Sequence, residues 1–169
     1  KAFLCPTEHR LRNDDGTIAL ASYRGVAGIN VRLLDGMFHP NFVVHLTDVP
    51  DGLSSTLLIG ERPSGPGGLF GGWYSGHDYS ICTWAQLQPA GYTAREARIH
   101  PCPNKASPSF QPGTITDPCA ADWFWSEHPR GANFAFADGS VRFLTYGSAA
   151  MLPLLATRQG GETIPPGDE

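Results

Sequence analysis

The segment Asn133-Phe134-Ala135-Phe136-Ala137-Asp138-Gly139-Ser140-Val141-Arg142-Phe143-Leu144 restricts the fold of this chain more than any other. Two alternating runs meet there at Asp-Gly, a strong local signal for a two-residue β-hairpin turn. With Asp138 and Gly139 as the turn, Phe136 stands opposite Val141 and Phe134 opposite Phe143, so four large apolar side chains share one face that must be buried. Asn133, Ala135, Ala137, Ser140 and Arg142 take the other face. Register is the decisive variable, because a slip of one residue turns a strand's apolar set to water.

A chain of 169 residues fits one domain with a sizeable core. Its 20 glycines and 15 prolines point to short strands joined by turns and long loops. Charged residues make up 17% of the chain, the net charge is -4 and the pI about 5.8, so the basic footprint that nucleic acid or anionic lipid needs is missing. No apolar run reaches the roughly 18 residues of a membrane span, and Lys1-Ala2-Phe3-Leu4 lacks signal-peptide architecture. Cys5, Cys82, Cys102 and Cys119 include no CxxC pair, which argues against a zinc ribbon or a thioredoxin-like site. In an exported chain they are candidates for two disulfides with three connectivities; in a cytosolic one they are buried thiols.

In chain order, the pattern predicts short strands over 3–6, 17–23 and 42–47, with a turn at Asn13-Asp14-Asp15-Gly16. A turn at Pro50-Asp51-Gly52 leads into a buried strand over 56–59, after which Glu61 is either on the surface or paired with a neighbouring polar group. Residues 63–118 are rich in Gly and Pro and offer strands only near 69–74 and 79–87. After the hairpin, Ser148 is placed to cap a short helix through Met151, Leu154 and Leu155. Pro153 limits that helix and Gly160-Gly161 ends it.

Just before the hairpin stands His128-Pro129-Arg130-Gly131, so nine residues separate His128 from Asp138-Gly139. Three further blocks accompany this interval: Ala21-Ser22-Tyr23-Arg24-Gly25-Val26-Ala27-Gly28, Asp51-Gly52-Leu53-Ser54-Ser55-Thr56 running to Gly60-Glu61, and Leu155-Ala156-Thr157-Arg158-Gln159-Gly160-Gly161-Glu162. Together they resemble the H-X9-DG pilin-like family of planctomycete-type bacteria. Val26 and Ser55 stand where that family usually has Asn, and roughly residues 63–120 match only weakly. The resemblance implies an α+β fold: a strand-rich antiparallel pilin- or pseudopilin-like head over 1–161, a variable loop-rich insert at 63–120 and a flexible tail at 162–169. It assigns structural motif roles to Asp51, Gly52, Ser54, Thr56, Gly60, Glu61, His128, Gly131, Asn133, Phe136, Asp138, Gly139, Ser140 and Val141.

The same resemblance implies a secreted, non-catalytic subunit of a cell-surface filament or a type II secretion-like assembly. It would sit outside the cell, passing through the periplasm before assembly. Its partners would be other pilin-like subunits, and it would meet the membrane only through a helix upstream of Lys1.

Chemistry is weighed against that reading. His128 and Asp138 invite a catalytic or metal pair, but a turn by itself accounts for Asp138, and the His128 ring can hydrogen-bond the turn or a loop carbonyl. A G-x-S-x-G segment is absent from the sequence. Calcium, which pilin-like domains use to brace loops, would draw on Asp48, Asp51 and Glu61, without EF-hand spacing. Trp73, Tyr74, Trp123 and Trp125 suit either a core or a glycan-stacking platform, so a surface-displayed carbohydrate-binding module gripping polysaccharide is the alternative function.

Overall fold

The computed structural model describes residues 3–29, 35–38, 43–68, 82–83 and 110–161. The tail at 162–169, Cys102, Trp73, Tyr74 and most of the insert lie outside the described residues. Strands β1 (Tyr23–Val26), β2 (Leu57–Glu61), β3 (Cys82–Thr83), β4 (Gly131–Phe136) and β5 (Val141–Thr145) form one sheet in the order β3-β1-β2-β4-β5. Strands β1, β2, β4 and β5 are antiparallel neighbours, and β3 joins β1 in parallel. A single turn and a half of helix, α1 (Leu152–Ala156), follows. The strand-rich α+β expectation therefore holds. No helix among the described residues is long and apolar enough to cross a membrane.

Strand β2 lies between β1 and β4, and its Leu57-Leu58-Ile59 run suits a strand with neighbours on both edges. Leu57, Ala132, Phe134 and Phe136 meet Phe110, Phe124, Leu152, Leu155 and Ala156 in the main core. Phe134 receives Phe110 edge-on at 5.3 Å and 87°, and Phe124 at 5.4 Å. Such pairs add about 0.5–1.5 kcal/mol beyond area burial. The close approach needs a residue without a side chain at Gly60, where a Cβ would stand 2.6 Å from both Phe124 and Phe134. A second cluster gathers Ala120, Trp123 and Trp125. Both tryptophans are 1% exposed, and Trp125 Nε1 donates to the Ala120 carbonyl at 2.9 Å. They are core residues, which removes them from the glycan platform.

The hairpin exists with a different turn. Gly131 pairs with Thr145, Asn133 with Phe143, Phe134 with Arg142 and Ala135 with Val141, one residue away from the expected register. Gly139 N donates to Phe136 O at 3.0 Å and Phe136 N to Ser140 O at 2.9 Å, while Gly139 has φ 84°. This is the three-residue loop closed by a left-handed glycine bulge. The cause is non-local. Ala137 N donates to Thr56 O at 2.8 Å and Asp138 N to Leu53 O at 3.1 Å, so Ala137 hangs on the chain before β2 and does not pair with β5.

The consequence is that Val141 and Phe143 face outward, 68% and 46% exposed. Arg142, itself exposed, falls on the same face as Phe134 and lays its guanidinium carbon 4.1 Å from the centroid of the Phe136 ring.

Smaller corrections follow the same logic. Residues 3–6 are turn-like; Phe3 O accepts from Ser22 N at 2.8 Å without a ladder. In the 17–23 segment the strand begins only at Tyr23, after a lone bridge from Ala19 to Arg12. The described part of 42–47 runs into a 3-10 turn at Leu46–Asp48. A 3-10 stretch, Tyr146–Met151, contains Ser148 and runs straight into α1, so Ser148 is no cap. Pro153 sits in the first helical turn, where its missing N–H costs nothing.

Candidate functional site

Asp51, expected as a calcium ligand, has another task. Its two carboxylate oxygens accept from Gly160 N at 2.7 Å and Gly161 N at 3.0 Å, tying the Asp-Gly block to the closing Gly-Gly. The following Gly52, at φ 93°, offers its carbonyl to the Thr56 hydroxyl at 3.0 Å. Ser54 is exposed beside them. Asp48 is exposed and Glu61 is buried at the far end of β2. Among the described residues Asp48, Asp51 and Glu61 do not gather, so that calcium site is not formed.

His128 and Asp138 flank opposite ends of β4 and do not pair. Asp138 is at the exposed hairpin tip, where Ser140 N donates to its carboxylate at 2.9 Å. The Ser140 side chain and amide together hold the carboxyl below its ordinary value. Its distance to Arg142 is 3.8 Å, at the surface, where such pairs contribute little.

The arrangement that the fold does build lies at the other end of β4, around Glu61, His128 and Cys5. Glu61 ends β2 and is 1% exposed. One of its oxygens, Oε2, accepts from Asn133 N at 2.6 Å and Asn133 Nδ2 at 3.2 Å. The other, Oε1, lies 3.5 Å from His128 Nε2. A turn through Pro129 and Arg130, whose φ of 74° is left-handed, aims the His128 ring. The turn is held where His128 N donates to Ser126 Oγ at 3.0 Å and Ser126 Oγ to Gly131 O at 2.7 Å. Gly131 has no room for a Cβ, which would run into the Leu144 carbonyl. Phe143 stacks edge-on against His128 at 6.5 Å.

Cys5 arrives from the other end of the chain. Its Sγ lies 3.2 Å from His128 Nε2 and 3.0 Å from Thr7 Oγ1. The segment carrying it is clamped by Arg10, which grips the Glu8 carboxylate at 3.0 Å and donates to the carbonyls of Ser64 and Gly65 at 2.6 and 3.0 Å. Cys5 is a buried free thiol, which corrects its assignment to a disulfide. Of the other candidates, Cys119 packs beside Trp123 and Trp125, while the side chains of Cys82 and Cys102 lie outside the described residues. Burial pushes the Cys5 thiol up, with the Glu61 carboxylate acting in the same direction. Burial and the nearby Cys5 and Glu61 push Tyr23 up to about 12.

Cys5 lacks the marks of an activated cysteine nucleophile. A reactive thiol is exposed and has a lowered pKa, whereas Cys5 is 3% exposed and shifted the other way. In a catalytic triad the acid orients the ring through the nitrogen remote from the nucleophile. Here thiol and carboxylate both face Nε2. The sequence places the His128 ring against the turn or a loop carbonyl and names Cys5 only as a disulfide partner or a buried thiol, so it does not reveal that the two meet at Glu61. The available signal was Glu61, a carboxylate closing a buried apolar strand.

The fold and site together define a strand-rich α+β domain whose separate motif blocks converge in pairs, Asp51 with Gly160-Gly161 and Glu61 with His128 and Asn133. The family model described as "Protein of unknown function (DUF1559)" matches residues 2–149, and the chain belongs to that family. No curated protein and no solved structure matches the chain.

Proposed function

We propose that this protein is a structural, non-catalytic, pilin- or pseudopilin-like subunit of a bacterial cell-surface filament or type II secretion-like assembly. The observation that carries the reading is the outward face of β5. Val141 and Phe143 are 68% and 46% exposed on a strand that is outermost in the described sheet, and exposed apolar side chains on an outer strand suit burial against another element. On this reading that element is a helix preceding Lys1 or a neighbouring subunit, and the helix alone meets the membrane. On this reading Cys82, Cys102 and Cys119 are the candidates for a disulfide, which a compartment outside the cytosol would allow. The burial and hydrogen bonding of Glu61 and Cys5 suit a pin that holds the N-terminal segment on the sheet.

The test is to shear cells that express the full-length protein and to follow it by immuno-electron microscopy. The wild type is expected in the sheared surface fraction, with Val141→Asp/Phe143→Asp absent from it while remaining folded. Recovery of both forms as cytosolic monomers would end the proposal.

A further inference from the structure

We propose that Cys5, Glu61 and His128 form a binding site for a thiophilic divalent cation of the Zn²⁺ class, cross-linking the N-terminal segment to β2 and to the turn that opens the hairpin. One ligand atom from each residue is already present, and the three atoms lie within 4.8 Å of one another. Tetrahedral zinc takes sulfur at about 2.3 Å and nitrogen or oxygen at about 2.0–2.2 Å, which places neighbouring ligand atoms roughly 3.4–3.6 Å apart. The separations here are 3.2 Å for Sγ to Nε2 and 3.5 Å for Nε2 to Oε1, so those two pairs need move only by tenths of an ångström.

The protonation pattern points the same way. Two groups, a sulfur and a carboxylate oxygen, face one ring nitrogen, and in either tautomer Nε2 serves only one of them well, donating its N–H to the carboxylate or accepting from the thiol S–H. A cation at their centre satisfies all three at once. On binding, the Cys5 thiol loses its proton to solvent, His128 keeps its one ring proton on Nδ1 and gives the Nε2 lone pair to the metal, and Glu61 gives Oε1. Two anionic ligands then balance the 2+ charge. Solvent takes the fourth position, as in three-ligand zinc sites.

The outer contacts are those that metal sites use to fix their ligands. Asn133 donates twice to the far oxygen of Glu61, and Thr7 contacts Cys5. Of the three ligands only His128 reaches the surface: its side chain is 26% exposed and lines a cleft of about 780 Å³ shared with Trp125, Arg130 and Tyr146. Thiolate and imidazole select against Ca²⁺ and Mg²⁺, which take oxygen ligands.

The test uses the purified protein, stripped with chelator and titrated with Zn²⁺, then with Co²⁺ as a spectroscopic probe. One equivalent of Zn²⁺ is expected to remain after gel filtration and to raise the melting temperature, with no effect from Mg²⁺. Co²⁺ is expected to give a thiolate charge-transfer band in the near ultraviolet. Cys5→Ser should abolish that band, and His128→Gln should weaken Zn²⁺ binding by about 100-fold, while Asp138→Asn at the hairpin tip should change neither. Because Cys5→Ser places a hydroxyl at a buried position, a second measurement uses wild-type protein only. Zn²⁺ should slow maleimide labelling of Cys5, followed by peptide mass mapping. Substoichiometric Zn²⁺, a Co²⁺ spectrum without the thiolate band, or labelling of Cys5 indifferent to Zn²⁺ would each overturn the site.

Discussion

The two faces of β4 are held by different physics. On one, Phe134 and Phe136 sink into the aromatic core, where attraction is non-directional and scales with apolar area. On the other, Asn133 gives its amide and its side chain to one buried carboxylate, Glu61, which also meets His128. There the interactions are directional, and a lost partner leaves a buried charge uncompensated. The comparison teaches that the core sets how stable the hairpin is, while the polar face sets where the N-terminal segment and the 128–131 turn are attached.

Phe134→Ala attacks the core side and should cost about 3–5 kcal/mol, the largest of the effects predicted here. Urea denaturation reads it, and a cost below about 1 kcal/mol would mean that the aromatic contacts do not hold the sheet. Glu61→Gln attacks the polar side while keeping shape. It should cost about 1–3 kcal/mol through the donors of Asn133 and the His128 ring left facing a neutral amide. Limited proteolysis should then cut the segment around Cys5 before it cuts the hairpin. Equal protection of both segments would contradict the division of labour.

Alkaline pH probes the polar side through Cys5 and Tyr23. Below the ordinary thiol and phenol values of 9.0 and 10.0, both groups are protonated whether the chain is folded or not, and their contribution is fully present. As pH rises, the unfolded chain releases these protons first, because the folded thiol titrates higher and folded Tyr23 holds its proton up to about 12. Stability therefore falls with rising pH through that window. Urea midpoints at about pH 8 and about pH 10.5 should differ, and Tyr23→Phe should shrink the difference; identical slopes for the two proteins would discard the assignment. Smallest of all is Phe143→Ser on the outer strand. The side chain is 46% exposed, so the isolated chain should change by no more than about 0.5 kcal/mol, read as a nearly unmoved melting temperature. A large drop would show that this face is buried by something already.

Much of the fold was legible because it rests on local signals. Alternation and Asp-Gly announced the hairpin, and the apolar run over 56–59 announced a buried strand. The register of that hairpin was illegible, because it was decided by Thr56 and Leu53 accepting from the loop amides; no window around Asp138 contains that information. Trp123 and Trp125 were open to two readings because a tryptophan's sequence neighbours do not reveal whether a second layer covers it.

The chain's own pattern determined that there would be strands, where the glycine turn would fall, and that phenylalanines would seek an interior. Only the tertiary structure decided which phenylalanine is left outside and which groups meet around Glu61. Alternation and turn chemistry act over a few residues, so they can be read in a line. The contacts that set register and build the site join Cys5 to His128 across 123 positions and Glu61 to Asn133 across 72, and only a folded chain brings such groups within hydrogen-bonding distance.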